Sequence, residues 1–157
     1  MNKDFGNKAD GLIAIQQICF AIQDTAAEPL QLGVDISLVR EVLPFRRITP
    51  VPLSPAGVVG IFDWRGRIIP VMDLSRILGY GKASSSPRNR LLVLQRQDGY
   101  VAFLVSQVIG IVRTVGSLEP VPPEVNLDLS LVRGSIRSPQ GRVILLDPEA
   151  IQPGIDI

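Results

Sequence analysis

Val58-Val59-Gly60-Ile61-Phe62-Asp63-Trp64-Arg65-Gly66-Arg67-Ile68-Ile69-Pro70-Val71-Met72 decides the fold class. Two short apolar runs, rich in β-branched residues, flank Arg65-Gly66. A two-residue break of that kind reverses one strand into the next, so the stretch reads as a β-hairpin. It leads into Leu74–Leu78, a short helix with Asp73 placed as its N-cap and Gly79 just past its end.

The same grammar extends in both directions. Upstream, Gln17–Ile22 is a strand, and Leu30, Leu32 and Val34 alternate as on a half-buried strand. Asp35–Leu43 fits either a helical turn or a strand, and Phe45–Pro55 is Pro-rich and extended. Downstream, Arg90–Gln95 and Tyr100–Val105 flank Gln97-Asp98-Gly99, the strongest hairpin signal in the chain. Val108–Val115 continues as strand. Leu131–Ile136 and Arg142–Leu146 flank Ser138-Pro139-Gln140-Gly141, a third hairpin, and Pro148–Ile151 reads as a short helix. About ten short strands with frequent turns specify an all-β fold of small barrels rather than a βαβ fold.

The expected organisation is a disordered tail over 1–15, a first barrel over roughly 16–79, a flexible connection over 80–89 and a second barrel over roughly 90–147. The terminal segments are open to sharing between the barrels. The halves on either side of the Ser-rich connection show no sequence repeat.

Composition narrows function sharply. The chain of 157 residues has no His and one Cys. Triads that use His as base are thereby excluded, and a zinc site and an internal disulfide lack their ligands. No cofactor is expected. The net charge of +1, with only 5% aromatic residues, gives no nucleic-acid footprint. No apolar run reaches the length of a membrane span and the N-terminus has no secretion signal, so a cytoplasmic protein without direct membrane insertion is expected. Cys19, in an apolar strand, reads as an inert core thiol.

Among candidate sites, a catalytic role for Asp73 would need a second acid or base that no motif marks, and Asp73 reads as a cap. Neither Gly57-Val58-Val59-Gly60 nor Gly79-Tyr80-Gly81-Lys82 matches a phosphate loop. Asp63-Trp64-Arg65-Gly66-Arg67 stands out, because Trp and Arg dominate interface hot spots. The alternative is a Trp packed on its own core with the arginines in water.

Together these segments resemble the CheW family of chemotaxis coupling proteins. Gly60 through Leu74 is similar to the family's Gly, apolar, Asn-Leu-Arg-Gly, apolar-Pro-Val, Asp-Leu pattern, with Asp63 and Trp64 in place of the usual Asn and Leu. Val39-Arg40-Glu41-Val42, Ile48-Thr49-Pro50-Val51-Pro52 and Gly134–Asp147 match flanking segments in order, over about Gln16 to Ile151. The resemblance implies two small five-stranded SH3-like β-barrels around a shared hydrophobic core. It implies a non-enzymatic adaptor that couples the cytoplasmic tip of methyl-accepting chemoreceptors to the regulatory domain of a CheA-type histidine kinase. A scaffold for pilus-driven motility or developmental signalling is a variant of that reading, and a small nucleic-acid-binding barrel is the rival. Val39, Glu41, Gly60 and Arg65 fall at family positions tied to partner binding, and Asp63, Trp64 and Gly66 complete the expected partner-binding set. Glu41 and Arg65 are expected to form an ion pair at its rim.

Overall fold

The computed structural model describes residues 13–23, 29–81 and 86–152. Ten strands are present among them: β1 Ile13–Ile22, β2 Leu30–Asp35, β3 Val39–Pro44, β4 Val58–Trp64, β5 Arg67–Asp73, β6 Arg90–Arg96, β7 Gly99–Val105, β8 Gln107–Gly116, β9 Val132–Ser138 and β10 Gly141–Leu146. The one α-helix among the described residues, α1, is Leu74–Ile77. It is far too short and polar to cross a membrane, and no other described helix is long and apolar enough. Asp35–Leu43 resolves into both of its candidate forms, a 3-10 turn at Ile36–Leu38 followed directly by β3.

The strands form two five-stranded sheets, ordered β8-β1-β2-β10-β9 and β3-β6-β7-β5-β4. We call them the β9 barrel and the β4 barrel. This pairing corrects the division at the Ser-rich connection. β1 and β2 leave the N-terminal half to join β8, β9 and β10, while β6 and β7 join β3, β4 and β5. Hairpin signals are local, and the three expected hairpins are present; the parallel pairings of β10 with β2 and of β5 with β7 are not local and leave no mark on adjacent residues. β1 begins at Ile13, so residues 13–15 are strand rather than tail. The rest of the expected tail, and the centre of the expected flexible connection at 82–85, lie outside the described residues.

The two barrels are built alike, although their sequences show no repeat. Each sheet has the same order and one parallel pair at the same place. Bulges recur too. The register slips at Arg40 in β3 and at Ile109 in β8, and again at Val59 in β4 and at Arg133 in β9. Each open edge is closed by the chain that leaves its first strand: Thr49 bridges Ile61, and Glu119 bridges Ser135. Asp73 caps α1 and Asp147 caps the 3-10 turn Pro148–Ala150. What repeats is geometry, carried mostly by different side chains.

Three apolar layers result. Leu91, Val93, Ala102, Leu104, Phe62 and Trp64 fill the β4 barrel, and Ile15, Cys19, Ile136, Val143 and Leu145 fill the β9 barrel. Between them, Ile18, Phe20 and Ile22 of β1 pack with Leu92 and Leu94 of β6 and with Val101 and Phe103 of β7. β6 is therefore buried on both faces, which explains its unbroken run Leu91-Leu92-Val93-Leu94. Across the layer, Arg96 of β6 donates to the Pro148 carbonyl oxygen at 3.3 Å, tying the two barrels with a hydrogen bond.

Candidate partner-docking site

The β4–β5 hairpin turns on Arg65 and Gly66 alone, at φ +52° and +81°. Both residues in the left-handed region make a type I′ turn, whose twist suits the flanking strands. For Arg65 this conformation costs about 1 kcal/mol or more. The Asp63 carboxylate helps hold it, with Oδ1 accepting the Gly66 N–H at 2.8 Å. Asp63 thus braces the turn, and the carboxylate paired with Arg65 is a different one.

That carboxylate is Glu41, on the far edge strand of the same sheet. A guanidinium nitrogen of Arg65 lies 3.1 Å from Glu41 Oε1, the ion pair expected from the sequence. The same oxygen accepts the Trp64 indole N–H at 2.9 Å. These contacts join β3 to β4 and close the seam of the barrel. The Arg40 bulge makes them possible. Val39 pairs with Leu94 and shares the face of the inter-barrel layer, whereas Glu41 pairs with Val93 and shares the face of the barrel interior. Residues two apart on an unbulged strand would face the same way. Arg40 itself donates to the Ser37 carbonyl and to the Gln95 side chain.

The candidate residues therefore divide by exposure. Asp63, Arg65 and Gly66 are exposed at the tip, and Glu41 is half-buried behind them. Trp64 is buried, only 6% exposed. Its ring packs inside the barrel, 5.0 Å from that of Tyr100, with the Arg65 guanidinium 5.1 Å from the indole. Trp64 is the floor of the site, with its edge spent on Glu41. Gly60 lies underneath: a Cβ there would stand 2.7 Å from Ile48 Cγ2 and 2.8 Å from the Thr49 carbonyl carbon. Its role is to let the closing segment approach β4. Val39, half-buried, packs against the inter-barrel layer, away from the hairpin tip.

Three more residues stand around the same mouth: Arg67, from the segment that stands out in the sequence, and Arg46 and Tyr100, which no motif marks. Arg67 holds its guanidinium 5.0 Å from the Tyr100 ring, and Arg46 holds its own 5.8 Å from Phe62. Arg46, Arg67 and Tyr100 come from three separate segments, so no motif joins them; only the repeated aromatics at alternate positions Phe62 and Trp64 hinted at a row.

The second barrel is an internal control. By register, Gly110 stands where Glu41 does, and Ser138-Pro139-Gln140 stands where Trp64-Arg65-Gly66 does. The β9 barrel has no cluster at that place and carries a different one, Glu119 with Arg137 and Arg142, across its own seam, so the Glu41–Trp64–Arg65 arrangement is particular to the β4 barrel. The Asp73 cap, in contrast, recurs as Asp147 and belongs to the fold.

Comparison with known proteins agrees with this architecture. A family model described as the CheW-like domain matches residues 18–153. The chemotaxis protein CheW of Thermotoga maritima is 31% identical over 151 residues, 91% of each chain. Protein FrzA of Myxococcus xanthus is 36% identical over 110 residues, which is 70% of this chain and 65% of FrzA. The crystal structure of the scaffolding protein TtCheW from Thermoanaerobacter tengcongensis superposes with a TM-score of 0.73 at 26% identity, covering 94% of this chain and 90% of that one.

Proposed function

Since this chain belongs to the CheW-like family and is a signalling adaptor of chemotaxis type, we propose that it joins the cytoplasmic tip of a chemoreceptor to the regulatory domain of a CheA-type histidine kinase. The docking surface is the mouth of the β4 barrel. Arg65, Asp63 and Gly66 make the contact, and Glu41 sets the direction of the Arg65 guanidinium. Trp64 and Gly60 hold that surface from beneath, and Val39 anchors β3 to the core.

One observation carries this reading. The two barrels share sheet order, bulges, seam and caps, and the Glu41–Trp64–Arg65 cluster is an addition to one of them. A feature particular to one barrel, built from exposed arginine over buried tryptophan, suits recognition. The family is one of adaptors rather than enzymes, and the reading is of a cytoplasmic protein that acts by contact alone.

Titration calorimetry tests it. The full chain is titrated separately with the regulatory domain of a CheA-type kinase and with a chemoreceptor cytoplasmic fragment. Saturable binding to both is expected, and the absence of binding to either at tens of micromolar would reject the coupling role.

A further inference from the structure

Phe62 and Trp64 are alternate residues of β4 and point to the same side, and the Tyr100 ring lies 5.0 Å from that of Trp64. The three rings make one row across the mouth of the β4 barrel, and a guanidinium lies over each: Arg46 on Phe62, Arg65 on Trp64 and Arg67 on Tyr100. Arg65 is engaged by Glu41. Among the described residues no carboxylate oxygen lies within 4.0 Å of Arg46 or Arg67. A guanidinium held over a ring keeps N–H edges free to bond elsewhere.

Charge follows the same division. The described residues from Ile36 to Ser106 hold nine arginines against four carboxylates, and the remaining described residues hold four against six. The near-neutral total conceals a chain with one cationic half.

We propose that Arg46 and Arg67, flanking Arg65, form a cationic clamp for a carboxylate-bearing face of a partner protein. Resting on the reading above, that face belongs to the kinase regulatory domain. Paired carboxylates meet guanidinium forks with directional, charge-assisted bonds. A nucleic-acid backbone fits less well. Glu41 and Asp63 stand in the same mouth and repel an unbroken line of phosphates, whereas a folded protein presents carboxylates at discrete points. The clamp predicts a docking step steered by charge and weakened by salt.

The test is calorimetry of the full chain against the regulatory domain of a CheA-type kinase at about 50 and about 300 mM salt. The parent's affinity is expected to fall with salt. The double variant R46Q/R67Q is expected to bind about tenfold more weakly at low salt and to lose most of the salt dependence. Arg67→Lys, which keeps charge and gives up the fork, is expected to retain most of the salt dependence and part of the affinity. Melting curves confirm that the variants are folded. If the parent binds and the double variant matches it in affinity and salt response, the clamp is refuted and the adaptor role stands. If the parent does not bind at either salt, the kinase reading fails, and the clamp loses its occupant with it. Tight binding of a single-stranded oligonucleotide, abolished in the double variant, would overturn the choice of a protein face.

Discussion

Glu41 and Gly110 occupy equivalent places, each directly after the bulged residue of the strand that begins a barrel seam. Where one barrel carries a carboxylate that binds an indole and a guanidinium, the other carries no side chain. Both barrels close. The two seams share one backbone geometry and use different side chains, Glu119 with Arg142 and Arg137 serving the β9 barrel.

Arg65→Ala should weaken partner binding by about 1–3 kcal/mol, the range of an interface hot spot. Its melting temperature should stay close to the parent's, because a pair this exposed is worth about 0–1 kcal/mol. Arg65→Lys should recover only part of the affinity, since the ammonium lacks the fork. Calorimetry and thermal melts on the same preparations check both halves. Unchanged binding in Arg65→Ala would move the docking surface elsewhere.

Gly60→Ala should lose stability by about 1–3 kcal/mol, the usual cost of overpacking. The added methyl meets the Thr49 backbone and Ile48, and it strains the paired hydrogen bonds of 2.8 and 2.9 Å between Thr49 and Ile61. Gly66→Ala meets nothing within 4 Å but must hold φ near +81°. Its cost should be near 1 kcal/mol. Urea titrations of the two variants would rank them, and the reverse order would contradict this account of the seam.

Much of this was legible in the sequence because it is local. The alternating apolar residues, the Arg65-Gly66 turn and the Asp73 cap each announce themselves within a few residues. Glu41 and Arg65 were brought together by the order of family segments, not by any pattern of their own. The strand exchange was hidden, since β2 beside β10 depends on matching across more than a hundred residues. The burial of Trp64 was one of two readings that the sequence left open. Position alone cannot tell a tip residue that points outward from one whose ring returns into the barrel.

Cys19 and Trp64 should report one and the same unfolding transition. The Cys19 thiol is 1% exposed in the β9 barrel, and burial pushes its pKa up to about 11 despite the opposing hydrogen bond with the Val112 backbone. It should resist a thiol reagent at pH 8 until the chain opens. Trp64 fluorescence follows the other barrel. Phe103→Ala, which empties part of the layer between them, should cost about 3–5 kcal/mol and shift both signals together. Separate midpoints would show that the barrels melt independently.

Glu119 should make the β9 seam acid-sensitive. The Arg142 guanidinium, 2.9 Å away, and then Arg137 hold its carboxyl below the ordinary carboxylate range. A carboxyl depressed in the folded state contributes stability above its unfolded pKa, and that contribution is lost as the pH falls through the folded value. Melts between about pH 7 and pH 3 should therefore fall slightly more steeply for the parent than for Glu119→Gln, and added salt should narrow the gap. Identical pH profiles would count against the pairing.

The exchange of strands also sets a timetable for the chain as it leaves the ribosome. β1 and β2 emerge first, yet their partners β8 and β10 are synthesised last. The β4 barrel can close once β7 has emerged, and its outer face then offers the early hairpin an apolar shelter well before its own sheet exists. The nascent molecule must carry an open sheet edge for most of its synthesis, the condition under which chains associate wrongly. The same layout makes cleavage between β5 and β6 benign, because each fragment holds strands that the other needs. Two pieces made separately should find one another and fold as one.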